Sequence, residues 1–284
     1  MVRRHELTDQ EWELLAPLIP RAATGRPRVE DRQVVNGMVY KIRTGISWRD
    51  LPERCGPWQT VCTRFRRCAL DGVFTRALWQ IQARADAAGD IDWLLQIDST
   101  IVRVHRHAAA TGRKGGPKGD EPDDHALGRS RGGLTTKIHL ACDGRGRPLA
   151  ILLTPGQRHD SVCARPLLER IHVPRPGRPR RRPDQIIADR ACSSRGLRAY
   201  LRKRGIARTI SEKADQQRHR LNRGRRGGRP PGFDREAHRR RNTIERCFNR
   251  LKGFHGIATR YDKTATSYEA AVSLASFLLW ARSV

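Results

Sequence analysis

The hydrophobic pattern of this 284-residue chain changes its period near residue 91, and this change limits the folds that are open to it. Before residue 91, apolar residues recur every three to four positions, which is typical of helices packed through one face. After it, short β-branched runs alternate with longer helical stretches. We therefore expect a small all-helical domain over residues 1–90, followed over residues 91–284 by an α/β domain with a mixed sheet flanked by helices.

Four helices are predicted in the first region, beginning at Thr8, Asp31, Gln59 and Phe74. Thr8 and Glu11 have the spacing of a capping box, and Gly45 is placed to end the second helix. Small helices joined by short turns resemble a helix-turn-helix DNA reader.

The third helix carries the candidate DNA contacts of this region, Arg64, Arg66 and Arg67. An arginine in such a helix can reach a phosphate or a base edge. The alternative explanation is that these arginines only solvate an outer helix face, and the sequence does not decide between the two.

Positive charge dominates the composition: 57 Lys and Arg stand against 29 Asp and Glu, for a formal net charge of +28. Most of these cations are Arg, whose planar guanidinium suits bidentate contact with phosphate. A genome rich in G and C favours the codons for Arg and would contribute to this excess. It does not explain why the number of acidic residues has not risen together with the number of arginines. A nucleic acid is therefore the first candidate partner and a membrane surface a distant second. Three basic segments are predicted as surface loops: residues 111–133, 175–183 and 212–235.

Several protein classes are excluded by what the sequence lacks. No run approaches the ~20 apolar residues of a membrane helix, and no apolar stretch follows the first charges as in a signal peptide. The seven scattered cysteines fit reduced, buried thiols of a cytoplasmic protein, and none has the spacing of a structural zinc site. Neither a nucleophile elbow nor a phosphate-binding loop is present, so we expect no nucleotide cofactor.

Two acidic residues follow buried apolar runs. Asp98 follows Trp93–Ile97, and Asp189 follows Gln185–Ala188. Ligand groups gather at strand ends in sheets of this kind, although Asp is also a common turn former there. The third acid, Glu245, is the only one in the predicted helix 236–254 after its first residue.

On that helix, a rotation of about 100° per residue places His238, Arg241, Glu245 and Lys252 on one stripe beside the apolar stripe. Surface ion pairs such as Arg241–Glu245 are the alternative explanation. Three carboxylates on two strand ends and a helix suit Mg²⁺, which prefers hard oxygen ligands. The residues themselves thus favour a metal-dependent nuclease or phosphodiester transferase, in which Asp98, Asp189 and Glu245 are catalytic and bind the metal.

The segment around Glu245 resembles the signature of bacterial insertion-sequence transposases with an Asp-Asp-Glu triad. That signature reads Tyr, two residues, Arg, three residues, Glu, six residues, Lys. Arg241, Glu245 and Lys252 match it, while His238 stands where the Tyr is expected. Further segments resemble the group called insertion sequence five: residues 7–12, 43–52, 96–100, 128–139, 153–157, 187–190 and 259–263.

The resemblance implies a ribonuclease-H-like catalytic core that uses Mg²⁺, with Mn²⁺ as a substitute. It implies cleavage of double-stranded DNA at the inverted repeats that end the element, and transfer of the cut strand into target DNA. A homo-oligomer in a synaptic complex and a cytoplasmic, nucleoid-associated location in a bacterium are expected with it. Arg241, Lys252 and His238 would contact phosphate, and Cys192 departs from the aromatic residue that relatives often have.

Two other functions stay open at this point. A stand-alone Mg²⁺-dependent endonuclease of the same fold would cut DNA without joining ends. A decayed or domesticated copy would bind DNA without catalysis, but the intact Asp98, Asp189 and Glu245 argue against it.

Overall fold

The computed structural model describes residues 5–20, 29–108, 125–130 and 132–283. Its first region is helical, with both directions of the Thr8–Glu11 capping box formed, at 3.1 and 2.8 Å. Gly45 ends the second helix with φ of +73°, which glycine adopts without strain. The helices are α1 (Asp9–Leu15), α2 (Asp31–Thr44), α3 (Trp58–Leu70) and α4 (Val73–Ala87).

A mixed sheet of seven strands follows in the described residues. The strands are β1 (Leu94–Val104), β2 (Gly128–Ser130), β3 (Gly133–Cys142), β4 (Pro148–Pro155), β5 (Gln185–Ala188), β6 (Ala207–Ile210) and β7 (Thr259–Arg260). The long β1 is central. On one side it pairs antiparallel with β3, which in turn pairs antiparallel with β4. On the other side it pairs parallel with β5, which pairs parallel with β6. This strand order is that of a ribonuclease-H-like core, so the predicted fold class is confirmed.

Seven helices of the described residues accompany the sheet. They are α5 (Asp160–Glu169), α6 (Arg195–Lys203), α7 (Ala214–Asn222), α8 (Arg235–Arg239), α9 (Asn242–Lys252), α10 (His255–Ala258) and α11 (Ala265–Ala281). No helix in the described ranges is long and apolar enough to cross a bilayer.

The last helix joins the two regions. α11 is buried along most of its length and packs on α3, α4 and β4. The Trp280 indole N–H donates to the carbonyl of Pro148 at 2.6 Å, and Gln82 of α4 donates to the same carbonyl at 3.1 Å. One continuous hydrophobic cluster therefore runs from the N-terminal helices into the sheet. A domain boundary near residue 90 stays a prediction.

The end of α2 also packs closely on α10. A Cβ atom added to Gly256 would come within 3.0 Å of both the Cα and the carbonyl oxygen of Ile42. In the same turn of α2, the buried Lys41 places its Nζ 5.2 Å from the ring centre of Tyr261. Burial lowers the pKa of Lys41, and the charge of Asp262 opposes that shift.

Two expectations about local structure are wrong. Asp98 does not end a strand, because β3 pairs with β1 without interruption from Gln96 to Arg103. The predicted helix 236–254 is divided into α8 and α9, with the break at Arg240 and Arg241. At this point the backbone hydrogen bonds tighten to three-residue spacing, and the side chain of Arg241 and the backbone of Ile244 bond to β1.

The structure also corrects two of the predicted loops. Residues 212–235 contain α7, because Gln216 bonds to Ser193 and Arg220 pairs with Glu212. Of the loop 111–133, residues 111–124 and 131 lie outside the described residues, while residues 128–130 form β2 and β3 begins at Gly133. Residues 175–183 contain neither helix nor strand, and one bridge joins Val173 to Arg180.

The contact between α2 and α10 predicts a large effect of one added methyl group. Gly256→Ala should lower the free energy of unfolding by about 1–3 kcal/mol, because the backbone of Ile42 must move to admit the Cβ. Gly196→Ala in α6 is the matched control, since no atom lies within 4 Å of the added Cβ. It should leave the stability unchanged or raise it by up to about 1 kcal/mol. Urea unfolding of both variants measures the difference, and equal stabilities would contradict it.

Candidate active site

Strand register brings the first two acids together. β1 and β5 run parallel and are paired up to Ile97 and Ala188. The next residue of each chain segment is an Asp, so Asp98 and Asp189 are neighbours on one face of the sheet. Asp98 lies on a strand that continues, whereas Asp189 begins the turn after β5. Their side chains are 17% and 36% exposed, which leaves both open to a ligand.

The third acid is brought to this face by α9. The backbone N–H of Ile244 donates to Oε1 of the buried Gln96 at 3.0 Å, and Lys252 Nζ donates to Thr100 Oγ1 at 2.7 Å. These two bonds hold both ends of α9 to residues on the same face of β1. Glu245, half-exposed, consequently lies on the side of the helix that faces Asp98 and Asp189.

Arg241 lies among the three carboxylates. Its guanidinium is 2.7 Å from Asp98, 3.8 Å from Glu245 and 4.0 Å from Asp189. Burial by itself lowers the pKa of Arg241, but the hydrogen bond to Asp98 and the charges of the three acids outweigh it and raise that pKa. Arg241 thus provides the counter-charge that keeps these carboxylates close together.

The donor set suits a hard divalent cation, since all three acids offer carboxylate oxygens. In the described part of the chain, however, no three or more His, Cys, Asp or Glu side chains are grouped closely enough to hold a metal ion. The predicted residues are therefore brought to one place, but they surround a guanidinium.

The other two residues of the predicted stripe differ in position. Lys252 lies on the same side of α9 as Glu245 and is bonded to Thr100. His238 lies on α8, beyond the break, with its ring 5.0 Å from that of Phe233. Its buried Nε2 has no hydrogen-bond partner among the described residues.

A polar network that the sequence analysis missed lies on the opposite face of the sheet, directly behind Asp98. Ser99 Oγ donates to Asp160 at 2.7 Å, and Lys137 Nζ donates to the same carboxylate at 3.1 Å. His139 is opposite Ser99 in the β1–β3 register and bonds to Thr154 at 2.9 Å. The network joins β1, β3, β4 and α5. Its signal in the sequence is the alternation of Lys137 and His139 within an otherwise apolar strand.

Burial sets the titration of this network. It lowers the pKa of His139 to about 4; the charge of Asp160 opposes this shift and that of Lys137 adds to it. Burial alone would raise the pKa of Asp160, but hydrogen bonds from Ser99 and Lys137 reverse this and lower it.

Cys192, the second departure from the pattern that the sequence resembles, is buried near Asp160 on one face of the sheet and near Asp98 and Asp189 on the other. Burial, and then the charges of Asp160, Asp98 and Asp189, raise the pKa of its thiol to about 12. The thiol is therefore a neutral filler of the core at this point.

The predicted DNA-contacting arginines of α3 are placed differently from one another. Arg64 pairs with Asp31 and donates to the carbonyl of Val29, so its charge is used within the protein. Arg66 and Arg67 are exposed.

The segment 213–229, which contains α7, is a basic surface next to the acids. Gln216 donates to the carbonyl of Ser193 at 2.5 Å and accepts from its hydroxyl at 2.7 Å, which fixes α7 to the turn that follows Asp189. Its exposed arginines are Arg218, Arg223, Arg225, Arg226 and Arg229.

Comparison with known proteins gives consistent matches over both regions. Residues 91–280 match a family model described as a transposase DDE domain, and residues 7–78 match one described as a putative transposase of the IS4/5 family. The uncharacterized protein y4sN of Sinorhizobium fredii is 39% identical over 113 residues, which are 39% of this chain and 86% of that protein. A putative transposase for insertion sequence element IS6501 of Brucella ovis is 31% identical over 149 residues, 52% of this chain and 100% of that protein.

A putative transposase for insertion sequence element IS402 of Burkholderia cepacia is 34% identical over 119 residues, 41% of this chain and 54% of that protein. Among solved structures, the Mos1 strand transfer complex covers 93% of this chain and 81% of its own at 11% identity. Its TM-score of 0.27 makes this a weak likeness.

The position of Arg241 predicts its contribution to stability in the absence of metal. Arg241→Gln, measured in EDTA, should lower the free energy of unfolding by about 1–3 kcal/mol, because the three carboxylates then repel without a counter-charge. Arg246→Gln, on the exposed side of α9, is the matched control and should stay within about 0.5 kcal/mol of wild type. Equal stabilities of the two variants in urea unfolding would contradict this role.

The neutral His139 predicts a loss of stability in acid. Between pH 6.5 and about 4 the unfolded chain binds a proton that folded His139 does not, so stability falls as the pH falls through this range. The contribution is at most about 3 kcal/mol. His139→Gln should flatten the pH dependence of the unfolding free energy in this window, and His219→Gln, at an exposed position, should follow wild type. Parallel curves for wild type and His139→Gln would refute the assignment.

Proposed function

The chain belongs to the family of transposases with a DDE domain, and from this premise we propose that Asp98, Asp189 and Glu245 are its catalytic acids. The observation that carries the proposal is the gathering of these three side chains around the guanidinium of Arg241. The reaction would be cleavage of a DNA strand at the end of the element, followed by attack of the freed 3′-hydroxyl on a phosphodiester of target DNA.

A divalent cation, Mg²⁺ or Mn²⁺, fits the chemistry of this donor set. Asp98, Asp189 and Glu245 would hold it, and it would supply a Lewis acid for phosphodiester chemistry. The residues of the chain then have distinct tasks. The rigid β1 orients Asp98, α9 carries Glu245, and Arg241 is free to neutralise a phosphate once it is no longer the counter-charge of the acids.

Lys252 is a second positioning group for phosphate. Its bond to Thr100 holds the ammonium next to β1, two residues beyond Asp98 on the same face. A backbone phosphate near the acids would meet this charge without any rearrangement of α9. His238, on a separate helix, would act at most as an outer contact.

The DNA ends would lie across the carboxyl edge of β5 and along the segment 213–229. That segment is fixed next to Asp189 and presents several exposed arginines, and the exposed Arg66 and Arg67 of α3 would add contacts. Since two ends are joined in one event, a homo-oligomer in a synaptic complex on the bacterial nucleoid is part of the proposal.

The test is metal-dependent cleavage of a duplex that carries the end of the chain's own element. Glu245→Gln and Asp189→Asn should each lower the rate at least about a thousandfold, which is about 4 kcal/mol of transition-state stabilisation. Both should retain binding, because each removes a negative charge from a surface that faces phosphate. Glu236→Gln, an exposed acid on α8, is the matched control and should cleave like wild type.

Each other result has a defined meaning. Cleavage that survives in Glu245→Gln would overturn the assignment of that residue. Cleavage by wild type without a joined product from paired ends would favour an endonuclease. Binding without cleavage in either Mg²⁺ or Mn²⁺ would favour a DNA-binding protein that has lost catalysis.

A further inference from the structure

A second basic surface lies at the sheet edge away from the acids. β5 and β6 are parallel and joined by α6, so the end of α6 returns to the edge where both strands begin. The loop 175–183 precedes β5 and lies at the same edge. Two hydrogen bonds join the segment before β5 to the segment between α6 and β6. The N–H of Ala207 donates to the carbonyl of Asp184 at 3.0 Å, and the guanidinium of Arg204 donates to the carbonyl of Arg181 at 3.4 Å.

This surface, which we name the strand-start patch, consists of Arg178, Arg181, Arg182, Arg202, Lys203 and Arg204. Five of the six side chains are exposed and Arg204 is half-buried. In the ranges that the structure describes, none of the six pairs with an acid. Asp184, which follows the loop 175–183, pairs with Arg180, and Asp86 of α4 pairs with Arg175.

The patch is held in place by its own framework. The backbones of Val173 and Arg180 form a two-way bridge at 3.0 and 2.9 Å. The Arg180 guanidinium lies 3.9 Å from the ring centre of Trp93, and Arg204 donates to the hydroxyl of Tyr200 at 2.7 Å. The backbone that carries these cations is therefore held at one edge of the sheet, and a polyanion bound there would relieve their mutual repulsion.

The patch and the acids are on opposite ends of the β5–α6–β6 unit. Asp189 follows the last residue of β5, whereas Arg181 and Arg182 precede its first. The four residues of β5 span about 13 Å and the nine of α6 about 14 Å. A duplex seated across the carboxyl edge of β5 thus leaves the strand-start patch uncovered.

We propose that the strand-start patch binds the phosphate backbone of a second DNA duplex, distinct from the one held at the acids. The inference rests on the proposed function, because end joining brings more than one duplex to the protein. Arginine dominates the patch, and its planar donors match phosphate oxygens in pairs. The contacts are to the backbone, so the second duplex is held without regard to its sequence.

The experiment compares capture of two duplexes by the full-length protein. The protein is saturated with a duplex bearing the element end, and binding of a labelled duplex of unrelated sequence is measured over a range of salt concentrations. The variant carries Arg181→Gln, Arg182→Gln and Lys203→Gln. Its matched control carries Arg32→Gln, Arg54→Gln and Arg165→Gln, which remove the same charge from cations that already pair with acids.

The patch variant should bind the second duplex at least about tenfold more weakly, and the slope of log affinity against log salt should fall by up to about 2.7 for three lost contacts. Its binding and cleavage of the first duplex should equal those of wild type. The control should resemble wild type in both measurements. A second variant, Arg178→Gln with Arg202→Gln, should show the same loss for the second duplex.

Three results would overturn the proposal. An equal loss of second-duplex binding in the control would make the effect one of net charge. An equal loss of first-duplex binding in the patch variant would place the patch on the first duplex, and unchanged binding of the second duplex by the patch variant would show that the patch does not contact it. Failure of the proposed function is separate from these. It would show as absent cleavage by wild type, while capture of the second duplex would still be measured.

Discussion

Three polar side chains on one face of β1 are bonded to α9 and to Arg241, the residue before it. Gln96, Asp98 and Thr100 alternate along β1, and their partners are Ile244 of α9, Arg241 just before it, and Lys252 at its end. These bonds fix the height and rotation of the helix against β1, and the bond from Ile244 satisfies the buried side-chain oxygen of Gln96. The position of Glu245 follows from them. The geometry of the site therefore depends on β1, because the spacing of Gln96, Asp98 and Thr100 along this strand sets where α9 and Arg241 lie.

Much of the architecture can be predicted from the sequence because local signals agree with the global fold. The capping box at Thr8 and the stop at Gly45 are both short-range features, and both are present. The three acids that lie around Arg241 also stand out in the sequence, since Asp98 and Asp189 follow apolar runs and Glu245 has a distinctive neighbourhood; their catalytic role stays a prediction. Local chemistry of this kind is readable without knowing any distant contact.

What failed depended on partners far away in the sequence. The break before α9 is made by Asp98 and Gln96, more than a hundred residues earlier, so helical periodicity alone could not show it. β1 continues through Asp98 because β3 pairs with it on the other side. The network of Ser99, Lys137, His139 and Asp160 was missed for the same reason: its members come from three separate elements, and only the alternation of Lys137 and His139 hints at it. The ion pair of Arg64 with Asp31 was not foreseen either, because Asp31 lies on another helix.

The close approach of α10 to α2 has a consequence for how such proteins can evolve. α10 follows α9 directly, and Gly256 allows the backbone of Ile42 to touch it. The N-terminal helices and the segment that follows α9 are thus packed backbone against backbone at this point. Recombination that exchanges the first ninety residues between diverged relatives would pair the α2 surface of one protein with the α10 surface of another. A shift of the backbone on one side of this contact would have to be accommodated on the other.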